Sequence, residues 1–217
     1  LGQVLANLAC MSAILFICST ITLKFLGFTT DVIEGLINHT ISHSMPALND
    51  VLREKLTNNI LGIITNPLFP GTLVVTWIIF VVFNAMIAQA LLVKFDYNLV
   101  TKPNYKKLTL PNWISLPFVG AAVITLFSVY VNGASTEFFG RNLSTIFSIP
   151  YFFLGLAVIH DLADSSKLKT LYLTLTYLVL IISGGPEQPN WAAIMIVAIG
   201  VLDHWLMVRN LIPHAKN

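Results

Sequence analysis

Asp203 and His204 stand side by side near the end of a long apolar run, with Trp205 next and Arg209 six residues beyond Asp203. His160 and Asp161 close another such run. Ionisable groups at these positions are costly in hydrocarbon, so each is a candidate for binding a solute or relaying a proton. Asp203 leads, because it lies about 9 Å of helix rise before Arg209 and so below the headgroups. On a continuous helix Arg209 falls about 120° round from Asp203, so a direct pair within one helix is not expected. His160, at a similar depth in another run, is the expected partner. The competing and commoner reading makes Asp203 a helix-packing hydrogen bond or a snorkelling group.

The two His-Asp pairs could in principle hold a metal, but adjacent helical residues point about 100° apart, so each pair offers one comfortable ligand. His39 and His43 share a helix face at four-residue spacing, yet Thr40 stands where a zinc protease needs Glu directly after its first His. A solvated surface pair is the plainer reading. Asn84 and Gln89 are uncharged amides inside an apolar run; such groups glue helices together or line a cavity. No nucleophile elbow, phosphate-cradling glycine loop or cofactor fingerprint occurs, so neither an enzyme, a metal nor a cofactor is expected.

The elements that must position these residues follow from composition. Of 217 residues 56% are hydrophobic and 10% charged, where a soluble domain carries about 25% charged residues. The excess apolar surface requires the lipid bilayer as its solvent. A net charge of +2 gives no basic face for nucleic acid. Spanning helices need about 20 apolar residues, and about six windows qualify or nearly do. They are 1–23, 71–93, 113–131, 143–159, 168–183 and 191–208. The fold class expected is therefore all-α, a polytopic transmembrane bundle forming a single membrane domain over 1–217.

Between the first two windows, residues 29–66 show apolar positions at helical spacing, broken by Pro46. Two readings stand: an amphipathic helix pair on the membrane surface, or a solvated hairpin packed on the bundle. Ala6, Ala9 and Ala13 give the first span a small-residue face, and Pro150 and Gly155 allow a kink or close approach in the fourth. Cys10 and Cys18 lie about 80° apart on one helix, which suits buried thiols rather than a disulfide. Asn38-His39-Thr40 and Asn142-Leu143-Ser144 match the glycosylation acceptor pattern, a triplet common by chance.

Lysine and arginine in the loops set orientation. One set holds Lys94, Lys102, Lys106, Lys107, Lys167, Lys169, Arg209 and Lys216; the opposite set holds Lys24, Arg53, Lys55 and Arg141. The bias puts the first set and the C-terminus in the cytoplasm, and the 29–66 segment outside.

Asn142-Leu143, the run Gly155-Leu156-Ala157-Val158-Ile159-His160, and Gly200-Val201-Leu202-Asp203-His204-Trp205 with Arg209-Asn210 together resemble the YybS-like family of predicted bacterial membrane proteins. The order of a long extracytoplasmic helical segment, a span, a basic loop and four close spans fits as well. The resemblance extends over most of the chain, with its specific residues between 142 and 210. Members are usually longer at the N-terminus. That family is grouped with small-molecule uptake proteins resembling the substrate-binding membrane subunits of energy-coupling-factor transporters. The resemblance implies the bacterial inner membrane and directs attention to Asp203, Trp205 and Arg209. The expected function is a small-solute binding or transport module with a cavity near Asn84, Gln89 and Asp203. The rival is an accessory or assembly subunit docking on a membrane-protein partner through its helix faces.

Overall fold

The computed structural model describes residues 1–27, 30–95, 104–131, 133–164, 166–184 and 190–211. Among the sequence readings, Lys102 and Lys216 lie outside these residues. The described chain is helical throughout: α1 (Gly2–Phe25), α2 (Thr30–Ser44), α3 (Asp50–Ile64), α4 (Phe69–Lys94), α5 (Ser115–Val131), α6 (Ala134–Asp164), α7 (Lys169–Ile182), α8 (Trp191–Leu206) and the single turn α9 (Val208–Leu211). Two short 3-10 turns, Tyr105–Lys107 and Asn112–Ile114, lie before α5.

Four helices are long and apolar enough to cross a membrane: α1, α4, α5 with its leading turn, and α6. The shorter apolar helices α7 and α8 occupy the fifth and sixth windows, with 14 and 16 residues. At about 1.5 Å per residue neither matches a hydrocarbon core of about 30 Å, so among the described residues four helices, against the six windows read from the sequence, are long enough to cross. The outward faces are greasy. Trp77, Phe80 and Phe83 on α4, and Leu126, Val129 and Tyr130 on α5, are all exposed. No aqueous surface tolerates such a belt, which is what an all-α membrane bundle requires.

α6 is the hub. Buried residues make up 56% of its most apolar window against 11% for α4, and α1, α4, α5, α7 and α8 all pack on it. Where α6 crosses α8, glycines set the spacing. A Cβ on Gly155 would lie 2.0 Å from the Ile196 carbonyl oxygen, and one on Gly200 would lie 2.0 Å from that of Tyr151. Backbone thus rests on backbone, as small residues permit in membrane helices. Gly155 does what its position in the sequence suggested. Ala6, Ala9 and Ala13 are buried likewise on the face of α1 that meets α6.

α6 begins nine residues before the window read for it and continues past His160. Arg141, counted above as a loop cation, is therefore helical and pairs with Glu137 at 2.5 Å. Asn142 is fully buried, so its triplet is no glycosylation acceptor. Its amide group serves the fold: Oδ1 accepts from the Gly71 N–H at 2.6 Å, and Nδ2 donates to the Pro67 and Phe138 carbonyls at 2.7 Å each. Gly71 lies in the first turn of α4, where backbone N–H groups have no helical partner, so Asn142 pins the start of α4 to α6.

α2 and α3 pack chiefly on each other, joined by a 2.7 Å bond from Thr57 Oγ1 to Asn38 Oδ1. The hairpin sits at the end of the bundle opposite the lysine-rich connections. Asn49 caps α3 by accepting the Leu52 N–H at 2.9 Å. Asn190 caps α8 through Ala193 N–H at 2.9 Å and also donates to the Leu180 carbonyl at 2.8 Å, closing the α7–α8 hairpin.

Candidate functional site

At the lysine-rich end, α8 stops where Met207 adopts the left-handed conformation, φ 51° and ψ 46°, while its N–H still reaches the Asp203 carbonyl at 2.9 Å. This cap is normally left to glycine, because Cβ crowds the backbone there. The turn redirects the chain, and Arg209 folds back over Asp203. The Arg209 backbone N–H donates to Asp203 Oδ1 at 3.1 Å and its Nε–H to Oδ2 at 2.9 Å; Nη2 is 2.8 Å from Oδ2. The expectation that these two could not pair assumed an unbroken helix through 209, and the left-handed break overturns it.

The rest of the guanidinium reaches the segment before α5. Nη1 donates to the Lys106 carbonyl and Nη2 to the Leu108 carbonyl, each at 2.7 Å. Asp203 and Arg209 are mostly buried, with side-chain exposures of 4% and 15%. The arrangement is a clasp: one buried arginine, compensated by one carboxylate, fastens residues 106–108 to the end of α8. Only a planar, multi-donor cation can meet this acceptor set at once.

His204 and Trp205 turn to Ser115. His204 Nε2 lies 3.1 Å from Ser115 Oγ, the Trp205 indole N–H donates to the same oxygen at 3.3 Å, and the hydroxyl of buried Tyr151 is 3.3 Å away. Ser115 and His204 are thus in contact, while the side-chain bonds described for Asp203 go to Arg209 rather than to the imidazole. Ser115 and its neighbours tie α5, α6 and α8 together.

His160 does not approach Asp203. Its Nε2 is 2.8 Å from the Tyr177 hydroxyl on α7. One turn on, Asp164 is bonded by Lys106 and lies 2.6 Å from Lys169. These two lysines, Lys106 foremost, hold the Asp164 carboxyl at about 2, well below the usual carboxylate range. The group stands beyond the apolar run of α6, at its aqueous end.

Two cavities flank the 104–110 segment. One, about 570 Å³, is polar, with Lys106, Lys107, Asp161, Asp203, His204 and Arg209 in its lining. The other, about 700 Å³, is walled by apolar residues of α1, α4 and α6, among them Leu5, Val82, Met86, Phe153 and Ala157. At its rim stand Lys106, His160 and Tyr177. Its origin lies in α4, whose buried residues are Gly71 and Ile78, both in the half that Asn142 pins. Towards its other end α4 leaves the bundle, and the gap is the cavity.

Asn84 is exposed, and neither it nor Gln89 borders either cavity. Val82 and Met86 face inward, and Asn84, about 200° round from Val82, faces out. Of the residues singled out in the sequence, Asp203 and Arg209 come together, His204 and Trp205 meet at Ser115, and His160 stands at the other cavity. Lys106, Ser115, Asn142, Tyr151 and Tyr177 were not picked as site residues. A buried amide at 142 and a tyrosine in the fifth window were the only signals available.

Neither a curated protein nor a solved structure matches the chain. A family model does, over residues 1–204, and its description agrees with the greasy outer belt and the apolar helices: the chain belongs to the family described as "Predicted membrane protein (DUF2232)".

Proposed function

We propose that the protein is a multi-pass membrane module that binds a small solute at its lysine-rich end and serves its uptake. The observation that supports this is the cavity of about 700 Å³ between α1, α4 and α6, apolar in its walls with a few polar groups converging at its rim. Sites for small ligands have this makeup and fall in a volume range of about 300–1,000 Å³. The resemblance to YybS-like proteins and, through them, to substrate-binding subunits of uptake systems points the same way. In this reading the module sits in a bacterial inner membrane with the lysine-rich end and the C-terminus cytoplasmic, in keeping with the positive-inside rule. It is not an enzyme, and needs no cofactor.

A second reading, a subunit that docks on a larger membrane complex, is favoured by Asn84. An exposed amide among the apolar side chains of α4 finds no hydrogen-bond partner in lipid, and another helix would supply one.

Purification from native membranes in a mild detergent or polymer disc, followed by mass spectrometry, separates the two. A co-purifying small molecule lost on filling the cavity supports solute binding. A stoichiometric protein partner released by Asn84→Leu, with no bound solute, overturns it in favour of docking.

A further inference from the structure

Resting on the reading of that cavity as a solute site, we infer that its ligand is an amphipathic monoanion: a single apolar chain or ring system ending in one acidic group. The apolar walls select the body of the ligand. Leu5, Val82, Met86, Phe153 and Ala157 offer carbon surface and no hydrogen-bonding side chain, so a polar body would lose its hydration without replacement. The volume admits one such body and excludes a two-chain lipid in its entirety.

The rim selects the head. Among the described side chains that line the cavity, that of Lys106 carries the one permanent charge, and it is positive. Lys106 is bonded to Asp164, yet Asp164 is also held by Lys169 at 2.6 Å. Two cations thus share one carboxylate. If Lys106 swings to an incoming anion, Lys169 still neutralises Asp164, so the exchange strands no buried charge. The backbone of Lys106 does not move with it, because its carbonyl is fixed by Arg209 at 2.7 Å. The ammonium can therefore change partner on a stationary stem. Beside it, His160 and Tyr177 are 2.8 Å apart; with Nε2–H donating to the Tyr177 oxygen, the Tyr177 O–H is left to donate to a carboxylate or phosphate oxygen.

The test uses the full chain in phosphatidylcholine discs and three photoactivatable probes: a diazirine-bearing palmitic acid, the matching fatty alcohol, and a phosphatidylglycerol with the diazirine on one chain. Crosslinks are mapped by peptide mass spectrometry. The expected result is labelling by the free acid at the peptides carrying Met86 and Phe153, at least tenfold above the alcohol. Lys106→Gln should reduce acid labelling to the level of the alcohol. Ala157→Phe and, from the other wall, Met86→Trp should abolish labelling by both; the second variant serves if the first fails to fold. Stronger labelling of the cavity by the phosphatidylglycerol than by the free acid overturns the single-chain ligand and makes the source a membrane lipid. Equal labelling by acid and alcohol, unaffected by Lys106→Gln, overturns the anionic head while leaving solute binding in place. Labelling no stronger in the cavity than on the outer faces of α4 and α5 overturns the inference, and the co-purification experiment then decides separately whether any solute binds.

Discussion

Arg209→Ala should be among the most damaging single changes in this chain, although Arg209 lies outside the apolar core. In the intact protein the Asp203 side chain is 4% exposed, and the substitution leaves it the backbone N–H of residue 209 as donor. Removing one partner of a buried ion pair costs about 3–5 kcal/mol when the remaining charge is left without water or counterion; Asp203 lines the polar cavity and can be partly rewetted there, which puts the loss at the lower end of that range. The Lys106 and Leu108 carbonyls lose their donors too, but they face a cavity and can be rewetted, so they add little. A loss of about 3 kcal/mol is expected. Arg209→Lys should recover only part of it, because an ammonium cannot span the three acceptors that the guanidinium meets. Asp203→Asn should also destabilise, because it leaves the Arg209 guanidinium without its counterion. The informative variant is the pair Asp203→Asn with Arg209→Gln, which removes both charges. It should be more stable than the sum of the single losses implies, with a coupling of about 1–3 kcal/mol. The assay is reversible unfolding in mixed micelles with increasing denaturing detergent, combined with hydrogen exchange. The amides of the 104–110 segment should lose protection in the single variants before the rest of the bundle does. Additive single effects, or unchanged exchange in that segment, would refute the clasp.

Gly200→Ala should destabilise by about 1–3 kcal/mol, because its methyl would have to move from 2.0 Å to at least 3.4 Å from the Tyr151 carbonyl oxygen. Gly120→Ala is the control: nothing lies within 4 Å of its Cβ, so helix propensity alone should leave it neutral or slightly more stable; equal losses in both would contradict backbone contact between α6 and α8. Asn142→Leu should cost about 2–3 kcal/mol in the same unfolding assay by leaving the Gly71 N–H and the Pro67 carbonyl unpaired. In a background lacking Cys10 and Cys18, Lys107→Cys should react with impermeant maleimide only when the cytoplasmic face is open; labelling in intact cells would reverse the orientation.

The apolar runs were legible because hydrocarbon imposes its length on them, and all six have helical counterparts here. Gly155 was legible for the same kind of reason, since a glycine inside a spanning helix has few uses besides close approach. The Asp203–Arg209 pair shows where such reading stops. The residue types were right and the geometry was wrong, because it hinged on Met207 taking a left-handed conformation that nothing in its side chain signals. Gly200 carried part of the resemblance, but nothing in its run marked it as the place where two backbones meet. Lys106 and Asp164 meet across 58 positions, and Arg209 and Leu108 across 101. Contacts of that kind come from helix packing, and no local pattern encodes them.

The two ends of the bundle explain why a cavity exists at all in a structure otherwise built on close contact. Asn142 draws the start of α4 against α6, and the glycine crossing holds α8 against α6 along its length. α4 has no matching contact in its second half: beyond Ile78 it offers no buried side chain, and among the described residues the 104–110 segment lines the space between it, α1 and α6. That segment is irregular backbone at the membrane end, which is tolerable only where its carbonyls are satisfied. Arg209 satisfies two of them, with its charge compensated by Asp203. The buried ion pair is therefore what allows this segment to roof an apolar cavity, and it fixes the backbone of Lys106, the residue whose carbonyl it grips, at the cavity's rim.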